Sequence, residues 1–170
     1  MFRKLNKSYN FQYKLGKKQI DYGNVISYHD VELTEGGVLN LIPLRYRNDF
    51  CVSFMDISGE VTPHTDSEIK CTINFYIEPG NYMTKFFDVK EGATISQIEN
   101  QTNGFLFDKK DLQHKGTFIA NAGDGWVLDV TQPHSVEPYK EVTRRTAICL
   151  ATDKHDYDQV AQMLFETGNI

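Results

Sequence analysis

Two histidines and one aspartate in this chain have the types and spacing to hold a metal ion: His64, Asp66 and His134. His64-Thr65-Asp66 follows Pro63 and reads as a strand edge. Residues i and i+2 of extended chain point to the same face, so the imidazole of His64 and the carboxylate of Asp66 can converge on one point. His134 lies far downstream behind Pro133, where a loop can turn its ring inward. Two imidazoles and a carboxylate occupy one face of an octahedral ion and leave the other positions open, a ligand set that suits ferrous iron. A lone His-x-Asp is more often a surface turn, so the tripeptide gains weight only from its partners.

One such partner is the Arg144-Arg145 pair on the stretch after His134. A metal site that also holds a dicarboxylate needs a cation set back from the metal, and a guanidinium grips a carboxylate bidentately. Only one of two neighbours on a strand can point inward. If Arg145 does, so do Ala147 and Cys149, which are small; if Arg144 does, Ile148 and Leu150 fill the space. The first arrangement leaves the better pocket, which makes Arg145 the expected anion binder and Arg144 the alternative. The same alternation on Cys71–Ile77 groups Thr72, Asn74 and Tyr76 on one face, with Cys71, Ile73, Phe75 and Ile77 opposite. Such a polar face either lines a cavity or meets water, as in any antiparallel sheet. In the first case Tyr76, with Asn74 beside it, can reach the carboxylate held by Arg145.

The elements that must position these side chains read as strands. Extended segments are expected at 50–55, 71–77, 82–89, 105–107, 116–120, 126–130 and 144–151, punctuated by Ser58-Gly59, Glu78-Pro79-Gly80-Asn81, Glu91-Gly92 and Asn121-Ala122-Gly123-Asp124-Gly125. Residues 1–48 are expected to extend the sheet, with turns at Lys17-Lys18 and Gly36-Gly37 around extended pieces such as Val38–Ile42. Residues 91–115 read as hairpins and loops. Asp156 can cap a helix over 155–166, with Val160, Met163, Leu164 and Phe165 at helical spacing. Many short strands and few helices predict a mainly β sandwich or barrel.

Length and composition agree with one globular domain over 1–170: 40% of residues are hydrophobic and 24% charged. The formal net charge of -5 argues against wholesale wrapping of nucleic acid. Cys51, Cys71 and Cys149 are too few and too scattered for a disulfide framework or a zinc knuckle, and three reduced thiols are expected. The basic N-terminus lacks an apolar h-region and no window approaches 18 apolar residues, so a soluble, cytoplasmic protein without a membrane partner is expected. His29, His114 and His155 belong to no constellation and are expected to be surface or hydrogen-bonded residues.

The chain resembles the 2-oxoglutarate- and Fe(II)-dependent dioxygenases, especially their prolyl-hydroxylase-like branch. The resemblance covers roughly residues 50–152 and is carried by Pro63-His64-Thr65-Asp66, Thr72-Ile73-Asn74-Phe75-Tyr76, Gly123-Asp124 to His134-Ser135-Val136, and Arg145-Thr146-Ala147-Ile148. It implies a double-stranded β-helix, or jelly roll, with the core at 50–152. It implies Fe(II) on His64, Asp66 and His134, and the cosubstrate 2-oxoglutarate on Arg145 and Tyr76. It implies use of molecular oxygen to hydroxylate a small-molecule or peptidyl substrate, with release of succinate and carbon dioxide. Asp66 points to hydroxylation, since halogenating members carry a small residue there. That branch often has a second tyrosine about ten residues before its first metal histidine; Phe54, which has no hydroxyl, stands there. Two alternatives are a non-enzymatic jelly-roll module for binding or assembly, and a cupin-type metal enzyme without a cosubstrate.

Overall fold

The computed structural model describes residues 1–33, 37–66, 68–97 and 104–170. The chain folds as two antiparallel sheets with one C-terminal helix and three short 3-10 turns. The strands are β1 (Phe2–Ser8), β2 (Tyr13–Tyr22), β3 (Ile26–Leu33), β4 (Cys51–Ile57), β5 (Val61–His64), β6 (Cys71–Glu78), β7 (Tyr82–Val89), β8 (Ile95–Gln97), β9 (Phe105–Phe107), β10 (Leu112–Phe118), β11 (Asp124–Asp129), β12 (His134–Pro138) and β13 (Arg145–Thr152); the helix is α1 (Tyr157–Glu166). One sheet runs β1-β11-β6-β13-β4-β3-β2 and the other β10-β7-β12-β5-β9-β8.

Setting aside β8 and β9, the strands from β4 onward form an eight-strand series. Its first, third, sixth and eighth members share one sheet; the second, fourth, fifth and seventh share the other. That alternation winds the chain back and forth between two sheets, which defines a jelly roll, or double-stranded β-helix. β1, β2 and β3 extend the larger sheet at both edges, and β8–β9 extend the smaller one beside β5.

The centre of the larger sheet is buried on both faces, which is why β6 and β13 read as nearly continuous buried runs. Its outer face carries Phe54, Ile73, Phe75, Ile148 and Leu150, which pack against Val160, Met163 and Leu164 of α1 and against Val38, Leu41 and Ile42. Burial of each such side chain contributes about 1.5–3 kcal/mol. Its inner face carries Met55, Tyr76, Ala147 and Cys149, which meet Phe86, Phe118 and Val136 of the smaller sheet. The parity expected from Arg145 is therefore the observed one. α1 starts with a full capping box, Asp156 accepting from the Gln159 amide and the Gln159 side chain from that of Asp156.

Three local expectations are corrected. Val38–Leu41 is a 3-10 turn, not an extended piece. Its apolar side chains lie under α1, and Pro43 separates it from a second 3-10 turn, Leu44–Asp49. Lys17-Lys18 is not a turn but lies inside β2, where the register with β3 shifts around Lys18. The actual turn is Gly23-Asn24, with φ of 59° and 60°, closed by the Val25 amide donating to the Tyr22 carbonyl in a three-residue connection between Tyr22 and Ile26. Of the Gly36-Gly37 expectation, Gly36 lies outside the described residues. The strand read at Gly116–Ala120 begins earlier, at Leu112, and ends at Phe118. Among the described residues no helix is long and apolar enough to cross a membrane.

Candidate active site

The jelly roll brings His64, Asp66 and His134 together. His64 ends β5, His134 opens β12, and the two are direct partners in the ladder. Their rings lie 4.4 Å apart between centroids. His64 Nε2 stands 3.3 Å and His134 Nε2 3.7 Å from the same Asp66 oxygen, Oδ1. The three donor atoms lie within 4.8 Å of one another. Ligands about 2.1 Å from one ion and at right angles are about 3 Å apart, so these separations fit three cis positions around a single cation.

Main-chain carbonyls fix both tautomers. His64 Nδ1 donates to the Thr62 carbonyl at 2.8 Å and His134 Nδ1 to that of Gln132 at 3.0 Å. A carbonyl only accepts, so the proton of each neutral ring sits on Nδ1 and the lone pair on Nε2, toward Asp66. Both histidines follow a proline, Pro63 and Pro133; Thr62 lies in β5, and Gln132 in the bend that leads into β12. The repeated X-Pro-His is a signal for this orientation that the His-x-Asp pattern alone does not carry. Burial drives His134 down to about 4, reinforced by neighbouring His64. Burial also pulls His64 down, but the Asp66 carboxylate beside Nε2 favours the protonated ring, outweighs burial and raises it. Burial pushes Asp66 up, and the two imidazoles outweigh it and hold the carboxyl below its ordinary range. Two inward lone pairs facing one carboxylate oxygen form a donor set that a divalent cation satisfies.

The triad borders a cavity of about 450 Å³ between the sheets. Its floor is built by register. Ile26, Ile57 and Arg145 form one row; Tyr28, Met55, Ala147 and Tyr76 the next; Ser53, Cys149 and Asn74 the third; Cys51, Ala151 and Thr72 the last. From Arg145 to Ala151 the floor spans about 20 Å at 3.3 Å per residue.

Arg145 is 1% exposed and lines this cavity. Its Nη1 donates to Thr84 Oγ1 at 3.0 Å, and its guanidinium carbon lies 4.5 Å from the centre of the Tyr76 ring. Its Nε and Nη2 have no hydrogen-bond partner, and among the described residues no carboxylate lies within ion-pair distance. A guanidinium buried without a counter-ion is costly, by several kcal/mol, unless something else compensates it. The strand start is pinned from the β6–β7 turn: Tyr82 donates to the Thr143 carbonyl at 2.7 Å and the Asn81 amide to Thr143 Oγ1 at 2.9 Å.

Arg144 faces away from the cavity. Its side chain is 57% exposed and is held in a two-point pair with Asp56 at 2.7 and 2.8 Å. The polar face of β6 meets the cavity and not water: Thr72, Asn74 and Tyr76 all line it and all are buried. Thr72 Oγ1 and Asn74 Oδ1 have no partner. Phe54 points to the opposite face, into the core under α1 and against Tyr13. Tyr22 and Tyr28 line the cavity from that side, and the Tyr28 hydroxyl lies 3.7 Å from Met55 Sδ.

Sequence reasoning missed Thr84, which positions Arg145, and the β2–β3 hairpin, which supplies Gln19, Ile20, Tyr22, Tyr28 and Asp30 to the cavity wall. Gly23-Asn24 was the available signal for the hairpin; Thr84 had none. His29, His114 and His155 are hydrogen-bonded as expected, to Ser27, Thr117 and Asp49. Cys71 and Cys149 are buried thiols pushed well up by burial, while Cys51 is exposed.

No protein-family model matches this chain, and no curated relative matches it. Solved structures that resemble it include the vicilins of Capsicum annuum and of Corylus avellana (hazelnut). The first is 12% identical with a TM-score of 0.47, covering 91% of this chain and 42% of that one. The second is 12% identical with a TM-score of 0.44, covering 79% and 30%. A vicilin of Solanum melongena is 15% identical with a TM-score of 0.43, covering 81% and 30%. The chain thus spans less than half the length of these proteins. The assignment of a jelly roll stands on the strand order itself.

Proposed function

We propose that this jelly-roll protein is a non-haem Fe(II)- and 2-oxoglutarate-dependent dioxygenase that hydroxylates a small-molecule or peptidyl substrate. The observation that carries this reading is the pairing of two features in one cavity. A facial set of two imidazoles and a carboxylate occurs there with a buried guanidinium that lacks a counter-ion. The first suits a divalent cation and the second an organic anion. A cosubstrate that chelates a metal through one end and carries a carboxylate at the other satisfies both.

In this reading His64, Asp66 and His134 hold the iron, whose chemistry is activation of oxygen for oxidative decarboxylation of the cosubstrate. The balance is one oxygen molecule, one 2-oxoglutarate and one substrate C–H giving succinate, carbon dioxide and a C–OH. Arg145, oriented by Thr84, takes the far carboxylate through Nε and Nη2, and Tyr76 lies beneath it. Asn74, one row further along the same face, offers its amide to the bound ligands. Arg144 is committed to Asp56 and takes no part.

The test is anaerobic loading with Fe(II), addition of 2-oxoglutarate and oxygen, and measurement of succinate, including the slow turnover without substrate. Succinate release that needs His64, His134 and Arg145 supports the proposal. Absence of both iron binding and succinate release in the wild type refutes it and favours a non-enzymatic jelly-roll module. Iron binding without 2-oxoglutarate binding favours a metal enzyme without a cosubstrate.

A further inference from the structure

The cavity is far longer than a five-carbon diacid needs. With the cosubstrate at the Arg145 end, as the reading above requires, the rows of Ser53, Cys149 and Asn74 and of Cys51, Ala151 and Thr72 stay free. These residues are small and leave open space at the end remote from Arg145. Asp30 joins this region from β3: it falls on the cavity side with Ile26 and Tyr28, at the position next in register to Ser53.

Charge separates the two ends. Among the described residues the cavity lining holds no lysine or arginine besides Arg145, and its carboxylates are Asp66 and Asp30. In the loaded centre the two charges of a ferrous ion and that of Arg145 balance Asp66 and the dicarboxylate. Asp30 is then the uncompensated charge. Gln19 Nε2 donates to its Oδ2 at 2.6 Å, and among the described residues no lysine or arginine pairs with it. Asp30 itself is solvent-exposed at the edge of the cavity, and Gly16 of β2 stands beside it, where a Cβ would come within 2.7 Å of the Asp30 Cβ. On the far side of the same trough, Asn74 Oδ1 and Thr72 Oγ1 are buried without partners; these residues are only 8% and 9% exposed. Buried oxygen atoms left without donors call for N–H or O–H groups from a ligand.

We propose that the substrate carries a cationic nitrogen, an alkylammonium or guanidinium, met by Asp30 at the end of the cavity remote from Arg145. Its remaining N–H or O–H groups meet Asn74 and Thr72, and its carbon chain runs past Tyr28 and Met55 toward the metal centre. The carboxylate selects for the positive head and against an anionic substrate, which would face Asp30 unpaired.

The experiment is calorimetric titration with three probes of matched length: pentylammonium, pentanol and pentanoate. It is run on wild-type protein loaded with Mn(II) and 2-oxoglutarate, and on metal-free Arg145→Met, in which the anion site is gone. Pentylammonium is expected to bind about tenfold tighter than pentanol, with pentanoate weakest, and Asp30→Asn to erase the preference. Equal binding of the three probes, or a preference that survives Asp30→Asn, overturns the proposal. The two arms keep the readings apart. Failure of 2-oxoglutarate to bind wild type removes the dioxygenase reading, whereas the Arg145→Met arm still reads the ammonium preference directly.

Discussion

Replacing Arg145 by methionine is expected to remove ligand affinity at little cost in stability. The guanidinium has two free donors, Nε and Nη2, in a closed cavity. Two charge-assisted hydrogen bonds to a carboxylate contribute about 3 kcal/mol at the low end of their range. Their loss weakens 2-oxoglutarate binding by about 150-fold. Without ligand, the same group is a buried charge with no counter-ion, so an apolar side chain of similar length relieves a desolvation penalty. Such replacements are neutral to stabilising by about 1–4 kcal/mol. Against this stand one hydrogen bond to Thr84 and the contact with the Tyr76 ring, together about 2 kcal/mol. The net expectation for Arg145→Met is a stability within about 2 kcal/mol of wild type, a Tm within about 8 °C of it in a chain of this size. Scanning calorimetry with and without 2-oxoglutarate, under Mn(II), reads both effects. Wild type gains about 2.7 kcal/mol at a ligand concentration of roughly 100 Kd, and the variant gains nothing. A variant that melts well below wild type and still binds 2-oxoglutarate normally would make Arg145 a structural residue and refute the reasoning.

Three further outcomes are expected. Asp66→Ala or His134→Ala should remove Fe(II) or Mn(II) binding at micromolar metal while leaving the far-ultraviolet spectrum unchanged; equilibrium dialysis checks this, and retained stoichiometric metal would place the ion elsewhere. Gly80→Ala should destabilise by about 1–3 kcal/mol in denaturant unfolding, because Gly80 has φ of 60° and an added Cβ would come within 2.6 Å of the Arg144 carbonyl oxygen. Asp124→Asn should cost about 1–2 kcal/mol at neutral pH. Burial pushes the Asp124 carboxyl up, but Lys4 at 2.7 Å and the Asn121 amide at 2.9 Å outweigh this and hold it low. A depressed carboxyl stabilises above its unfolded value and loses that contribution as pH falls through its folded value, so wild type and variant should converge in acid. Parallel pH profiles would contradict that assignment.

The sequence was most legible where side-chain parity decides the outcome. Arg145, Ala147 and Cys149 on one face and Ile148 and Leu150 on the other followed from a period of two, and β13 keeps it without interruption. The polar face of β6 was ambiguous by the same logic, since periodicity does not say whether a face meets water or a second sheet. Residues 1–48 were misread where pattern and context conflict. Lys17-Lys18 has turn-like polarity but lies in an edge strand exposed on both sides, and Val38–Leu41 has strand-like composition but lies coiled under the helix. β12 was invisible in advance: it is five residues long and has a proline before its first residue and another as its last. The approach of β5 to β12, on which the metal site depends, is a tertiary fact that no local pattern encodes.

The bonds that hold the two ligating imidazoles have a consequence for how the protein tolerates genetic drift. Both rings are anchored by peptide oxygens, those of Thr62 and Gln132. The anchoring bonds themselves therefore do not depend on which side chains occupy positions 62 and 132. Among relatives that keep both histidines, Pro63 and Pro133 should persist as well, a pattern that collecting homologous sequences would reveal at once.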